Sequence, residues 1–360
     1  MIHVFVRRSA DVDYLTLDRA EELATVRRGA PGWWLRGTGD AESSADVPEV
    51  LQGTARATVV GYDVVVAAPR PLSILVALDA DAAPGVVLAH RAGVLAAIEY
   101  LEDRALVVRQ RVDGGEYLRR ATWNRVVGFT HGVNRSGEPH LHDHVLVGAR
   151  PDQESTVADS RSLFAHLPAA DALYRSTLRF EVNRQTSRTA WRSFTGVEGV
   201  TGLDEGFRAI WGGHSDERGV KSAWTRDEVV ERWRRDQGRF EPIGLPAEPP
   251  RRSFDAHQYA AAFEGATRIT RRDLVRAFAD ASTFGVEPVA VSTAIDGLHP
   301  HLRTARGIDE RPLRLVEARR LSPEISSQRV REPSVAIDDD RYRERPGVSR
   351  LRESRNRSER

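Results

Sequence analysis

His131, His142 and His144 are the residues whose types and spacing could do the most chemistry in this chain. His142 and His144 are two apart and run into Val145-Leu146-Val147, a strand-forming stretch. Residues two apart on a strand share a face, so both imidazoles project together. His131 closes a second alternation, Val127, Phe129, His131, and the intervening Arg135-Ser136-Gly137-Glu138-Pro139 is turn chemistry. If the two runs pair as neighbouring antiparallel strands, the third imidazole joins the other two. Three neutral imidazoles on one sheet face form a facial metal site with open positions opposite them. The competing reading of the same residues is a surface histidine cluster or half-buried core histidines.

Two further residues suit such a site. Tyr14 stands in the polar stretch Asp11-Val-Asp13-Tyr14-Leu15-Thr16, where its phenol could act as a nucleophile. It could equally be an ordinary half-exposed tyrosine. Asp63, in Gly61-Tyr62-Asp63-Val-Val-Val, is a carboxylate flanked by strand formers and so needs a partner. It could orient a ligand histidine or help a tyrosine lose its proton, or simply lie at a strand end in water.

The elements that must position these groups follow from the hydrophobic pattern. Ile2 to Val6 reads as a strand, with Ser9 capping a helix that would carry Tyr14 in its early turns. A β-rich run spans 57–67, ended by Pro69-Arg70-Pro71. Residues 84–104 read as a helix through Val87, Leu88, Val94, Leu95, Ile98 and Leu101. Short strands are predicted over 106–111, 117–121 and 124–131, then the His142/His144 strand, and a helix over 169–183. Thr225-Arg-Asp-Glu228 and Thr270-Arg-Arg-Asp273 resemble capping boxes that open helices. This predicts an α+β fold: a central, mainly antiparallel sheet flanked by helices over 1–200, a helical extension over 201–320, and a disordered basic tail over 321–360. Residues 341–360 hold eight arginines and three glutamates. That excess suits nonspecific nucleic-acid contact, or a solvated terminus without function.

Composition bounds the rest. The 360 residues are 40% hydrophobic and 29% charged, ample for a sizeable core, with no apolar run long enough to span a bilayer. The absence of cysteine excludes disulfides and thiolate metal sites and makes a cytoplasmic location the expectation. The net charge of +1 favours no partner, but Lys221 is the only lysine among 53 basic residues. Arginine suits phosphate recognition through its planar fork. A nucleotide-binding loop needs Gly-Lys-Ser/Thr, and Gly219-Val-Lys221-Ser222 carries an inserted residue, so no nucleotide cofactor is expected.

The stretch from Phe129 to His144 resembles the metal motif of MobF-class conjugative relaxases, the TrwC and TraI kind, within the histidine–hydrophobe–histidine (HUH) endonucleases. Their pattern is a histidine followed, eleven residues on, by the His-x-His of Asp-Pro-x-Leu-His-x-His. His131 and His142 have that spacing, and Arg135, Pro139 and Leu141 fall in place. Gly61-Tyr62-Asp63 through Pro69-Arg70-Pro-Leu-Ser73, Gly32-Trp33-Trp34-Leu-Arg36-Gly37, and Ala172-Leu-Tyr174-Arg175-Ser-Thr-Leu-Arg179 resemble the family's other landmarks.

The resemblance implies Tyr14 as nucleophile, His131, His142 and His144 as ligands of a divalent metal, and Asp63 as the accompanying carboxylate. Arg70 and Arg135 become candidate phosphate contacts. Imidazole ligands favour Zn, Mn or Ni, whereas the resemblance implies Mg or Mn. The expected activity is site- and strand-specific nicking and rejoining of single-stranded or cruciform origin-of-transfer DNA through a 5′-phosphotyrosyl intermediate, beginning the transfer of a plasmid or integrative element. Relaxosome accessory proteins and a coupling protein would be its partners, with no membrane. Two other readings fit the motif: a non-catalytic origin-binding relative, and a three-histidine hydrolase that uses water. The chain departs from the pattern at Glu138 (usually Asp), at Arg70 (usually Lys), at Ala149 (often Asn), and in lacking a second tyrosine near residues 25–30.

Overall fold

In the computed structural model the described residues are 1–9, 33–37, 59–112, 115–123, 125–134, 137–151, 157–193, 195–201, 203, 228, 231–233, 235, 254–263, 270–298, 303–304 and 307–308. Tyr14 and Arg135, residues 225–227 of the first capping box and the tail at 321–360 lie outside them.

The centre is a five-stranded antiparallel sheet. Its strands are β1 (Ile2–Arg7), β2 (Trp33–Gly37), β3 (Gly61–Ala67), β6 (Arg125–Val133) and β7 (Pro139–Gly148), in spatial order β1-β3-β7-β6-β2. A hairpin of β4 (Val107–Val112) and β5 (Gly115–Arg120), joined by the short β8 (Val157–Ala158), forms a second sheet. The alternation sorts the main sheet into two faces. Tyr62, Val64 and Val66 of β3 and Val145 and Val147 of β7 face one way, all at most 3% exposed. They pack with α2 (Ala83–Arg104) and α3 (Ser160–Gln185) in the main core. Asp63 and Val65 of β3 and His142 and His144 of β7 alternate to the other face, which is the predicted division.

Two elements differ from the sequence reading. Pro69-Arg70-Pro71 does end a strand, but it also starts α1 (Arg70–Leu78), since proline suits a first helical turn. Helix α3 begins at Ser160 rather than near Ala169, with the Asp159 carboxylate accepting from the Arg161 N–H, and it accommodates Pro168 in its interior. A proline there reads locally as a stop; burial of both flanks of α3 overrides it. Close packing of α2 on α3 requires Gly93, where a Cβ would lie 2.9 Å from the Tyr174 ring.

The helical region is not a detached unit. Ala169 and Leu173 of α3 share a second core with Phe254, Tyr259 of α4 (Ala256–Ala261), Leu274 and Val275 of α5 (Arg271–Ala281), and Val291 and Ile295 of α6 (Pro288–Leu298). Thr270 and Asp273 form the predicted capping box of α5. A buried charge cluster reinforces this seam. Arg179, 1% exposed, donates to Glu198 at 2.8 Å and to the carbonyls of Ala279 and Ser282 at 3.2 and 3.0 Å.

Candidate metal centre

Strands β6 and β7 pair with His131 directly opposite His142, and β7 pairs with β3 with His144 opposite Val65. The sheet register therefore brings all three imidazoles to one face, as the spacing predicts. One nitrogen from each ring lies within 4.8 Å of the others. The ring centroids are 5.2 to 5.3 Å apart. Two ligands each about 2.1 Å from one ion cannot be more than about 4.2 Å apart, so binding would draw the rings slightly inward.

In His142 and His144 the other ring nitrogen is committed to an acceptor, which sets those two tautomers. His144 Nδ1 lies 3.0 Å from both oxygens of Asp63, and His142 Nδ1 lies 2.8 Å from the carbonyl of His140. Each Nδ1–H donates, leaving Nε2 with its lone pair for a metal. Burial, followed by the neighbouring His140, His131 and His144, holds His142 well below the usual imidazole range. The ring is therefore neutral, the ligand form, at neutral pH. Neutral imidazoles backed by a carboxylate fit a divalent cation, and the three rings are placed so that they could hold one.

Asp63 is 3% exposed and paired with His144, so of the uses open to it the orienting one has its geometry. Arg70 begins α1 and turns toward β7. Its two terminal nitrogens donate to the Pro139 carbonyl at 3.0 Å and to Glu138 at 2.9 Å. Arg70 and Glu138, two of the departures from the family pattern, thus contact each other.

Several residues of the site had no individual signal in the sequence. His140 stacks on His142 at 4.6 Å, and burial, with Arg70 nearby, lowers it to about 4. Asp143 lies between the two ligand histidines but points into the core. It is fully buried, 3.3 Å from His90 Nε2, and His90 Nδ1 is 2.8 Å from the Tyr174 hydroxyl. Tyr174 falls in a landmark quoted above, but its partners come from α2 and β7, which no local pattern relates. Trp233, beyond the nuclease-like region, is buried in the main core and donates its indole N–H to the Gly137 carbonyl at 2.9 Å.

The TrwC relaxase family matches the chain over residues 11–211. The solved structure of conjugative relaxase TrwC with oriT DNA in a copper-bound form is similar in fold. Its TM-score is 0.53 and its identity 16%, covering 66% of this chain and 98% of that one. The metal-free complex gives TM-score 0.50 at 16% identity, and a metal-bound complex 0.50 at 15%, over the same shares. Among curated proteins none matches.

Proposed function

This chain belongs to the TrwC relaxase family and is a DNA relaxase, and from that premise we propose how it cuts. Its substrate is one strand of origin-of-transfer DNA, single or extruded as a cruciform, the kind of DNA bound in the TrwC complexes. The observation that carries the reading is the convergence of His131, His142 and His144 on one face, with Asp63 behind His144.

A divalent ion, which His131, His142 and His144 would hold, would polarise the scissile phosphate and offset the charge that builds on it. Asp63 fixes the tautomer and pitch of His144, and the His140 carbonyl does the same for His142. Tyr14, once its phenol has lost its proton to a base or to solvent, attacks phosphorus in line. The new bond joins the tyrosine oxygen to phosphorus, the bond to the 3′ oxygen breaks, and that oxygen takes up a proton. The products are a 5′-phosphotyrosyl protein and a free 3′-hydroxyl; reversal rejoins the strand. Arg135, between β6 and β7 in the sequence, is the proposed phosphate contact. Arg70, the second such candidate, spends donors on Glu138 and Pro139 and is taken up below. The role we assign is initiation of plasmid or integrative-element transfer in the cytoplasm, with relaxosome accessory and coupling proteins as partners. No helix among the described residues is long and apolar enough to cross a membrane.

The test uses origin oligonucleotides labelled at either end, with Mg, Mn, Zn or Ni added to chelated protein. Cleavage that needs a metal, releases the 5′-labelled fragment with a free 3′-hydroxyl and traps the 3′ label on protein is expected. Tight binding without cleavage under every metal would point to the non-catalytic relative, and cleavage leaving both labels free to the hydrolase.

A further inference from the structure

The pairing of β6 with β7 carries an irregularity at the ligand row. His131 opposes His142, but Val133 opposes Pro139, so one residue on β6, Gly132, faces two on β7 and a bulge falls at His140 and Leu141. Bulges re-aim side chains, and this one has a direct bearing on the site. The carbonyl of His140, within the bulge, accepts the Nδ1–H of His142. Whatever holds the bulge therefore holds the tautomer and direction of one metal ligand.

Ser73, Ala68, Arg70 and Trp233 hold it through hydrogen bonds. Ser73 Oγ on α1 accepts the Leu141 N–H at 3.0 Å, and the Ala68 N–H donates to the Leu141 carbonyl at 2.9 Å. Arg70 clamps Pro139 and Glu138, whose carboxylate also accepts from Asn134 Nδ2 at 2.8 Å. Trp233 ties down the turn itself through the carbonyl of Gly137, a residue at φ 74° in the left-handed region that favours glycine. Trp233 is 3% exposed and lies outside the 11–211 span matched by the family.

We propose that Trp233 and Arg70 are positioning residues of the metal site, acting through the His140–Leu141 bulge that aims His142. The inference rests on the metal-site reading above. It extends the working unit past residue 211 and gives Arg70 a role inside the fold rather than on phosphate. Neither residue touches the metal or DNA in this role. Both define where the second ligand strand starts.

The experiment is cobalt(II) titration of the full-length, chelator-treated protein, read by the visible ligand-field spectrum and by calorimetry, beside thermal melts and single-stranded DNA binding. Trp233→Phe keeps an aromatic ring, smaller than the indole, and removes the N–H. It is expected to weaken cobalt binding about 10-fold, the lower end for loss of a ligand-orienting contact, with a shifted spectrum and a near-native melt. Arg70→Met should do the same, and Arg70→Lys should recover most of the loss by keeping one donor. Wild-type cobalt affinity and spectrum in Trp233→Phe, at any stability, overturn the role of Trp233. Arg70→Met that leaves cobalt binding intact but weakens DNA binding and flattens its salt dependence makes Arg70 a phosphate contact instead. If the wild type takes up no cobalt, the metal reading itself fails and this inference with it.

Discussion

Two acceptors of different kinds do the same work at this site. Asp63 orients His144 as a carboxylate, and the His140 carbonyl orients His142 as a backbone group. A carboxylate acceptor also raises the basicity of its imidazole, which a carbonyl does more weakly. Asp63→Asn should therefore weaken metal binding and nicking about 10–100-fold, shifting the metal concentration needed for half-maximal cleavage; unchanged values would remove Asp63 from the mechanism. A second outcome follows from His140 and His142. Both are held below the usual imidazole value, so in the metal-free protein they stay neutral while the unfolded chain takes up protons below about pH 6.5. Stability is then full above that pH and falls as pH drops toward about 4, the value for His140. Urea denaturation in chelator should show this decline, and His140→Phe should make it shallower. A decline of the same depth in the variant would show that other groups cause it.

At the scale of elements, the ligand hairpin was the most legible part of the chain. Its two alternations, its turn residues and the separation of His131 from His142 determine which strands pair and which face carries the ligands. The bulge was not legible, because it depends on contacts from Ser73, Arg70 and Trp233, three residues remote in sequence from it. Local patterns also misjudged α1 and the start of α3, since a proline gives the same signal whether it ends one element or opens the next. Packing between α2 and α3 rests on Gly93. Gly93→Ala would place a methyl 2.9 Å from the Tyr174 ring and carbonyl. It should cost about 1–3 kcal/mol by overpacking, read as a lower denaturant midpoint. An unchanged midpoint would mean the helices yield freely.

For the whole molecule, α3 is the shared member: one flank closes the sheet core and the other closes the core of the helical region. The composition showed only that arginine is abundant; it could not show that Arg179 would be buried among carbonyls and Glu198 between the two cores. Removing its charge leaves Glu198 with Arg192 and Arg175 at 3.3 and 3.7 Å, but takes the Arg179 donor from the buried carbonyls of Ala279 and Ser282. Arg179→Met should thus cost about 1–3 kcal/mol in chemical denaturation, and an unchanged midpoint would mean the seam does not depend on Arg179. The fold and the triad support a relaxase, but its central step depends on Tyr14, the residue that sequence resemblance alone assigns. The most direct measurement is peptide mapping by mass spectrometry after the protein has reacted with origin DNA and been digested with protease and nuclease. A nucleotide phosphate carried on the peptide containing Tyr14, absent from Tyr14→Phe along with all cleavage, is the expected result. An adduct on another residue, or full cleavage by Tyr14→Phe, would contradict the account.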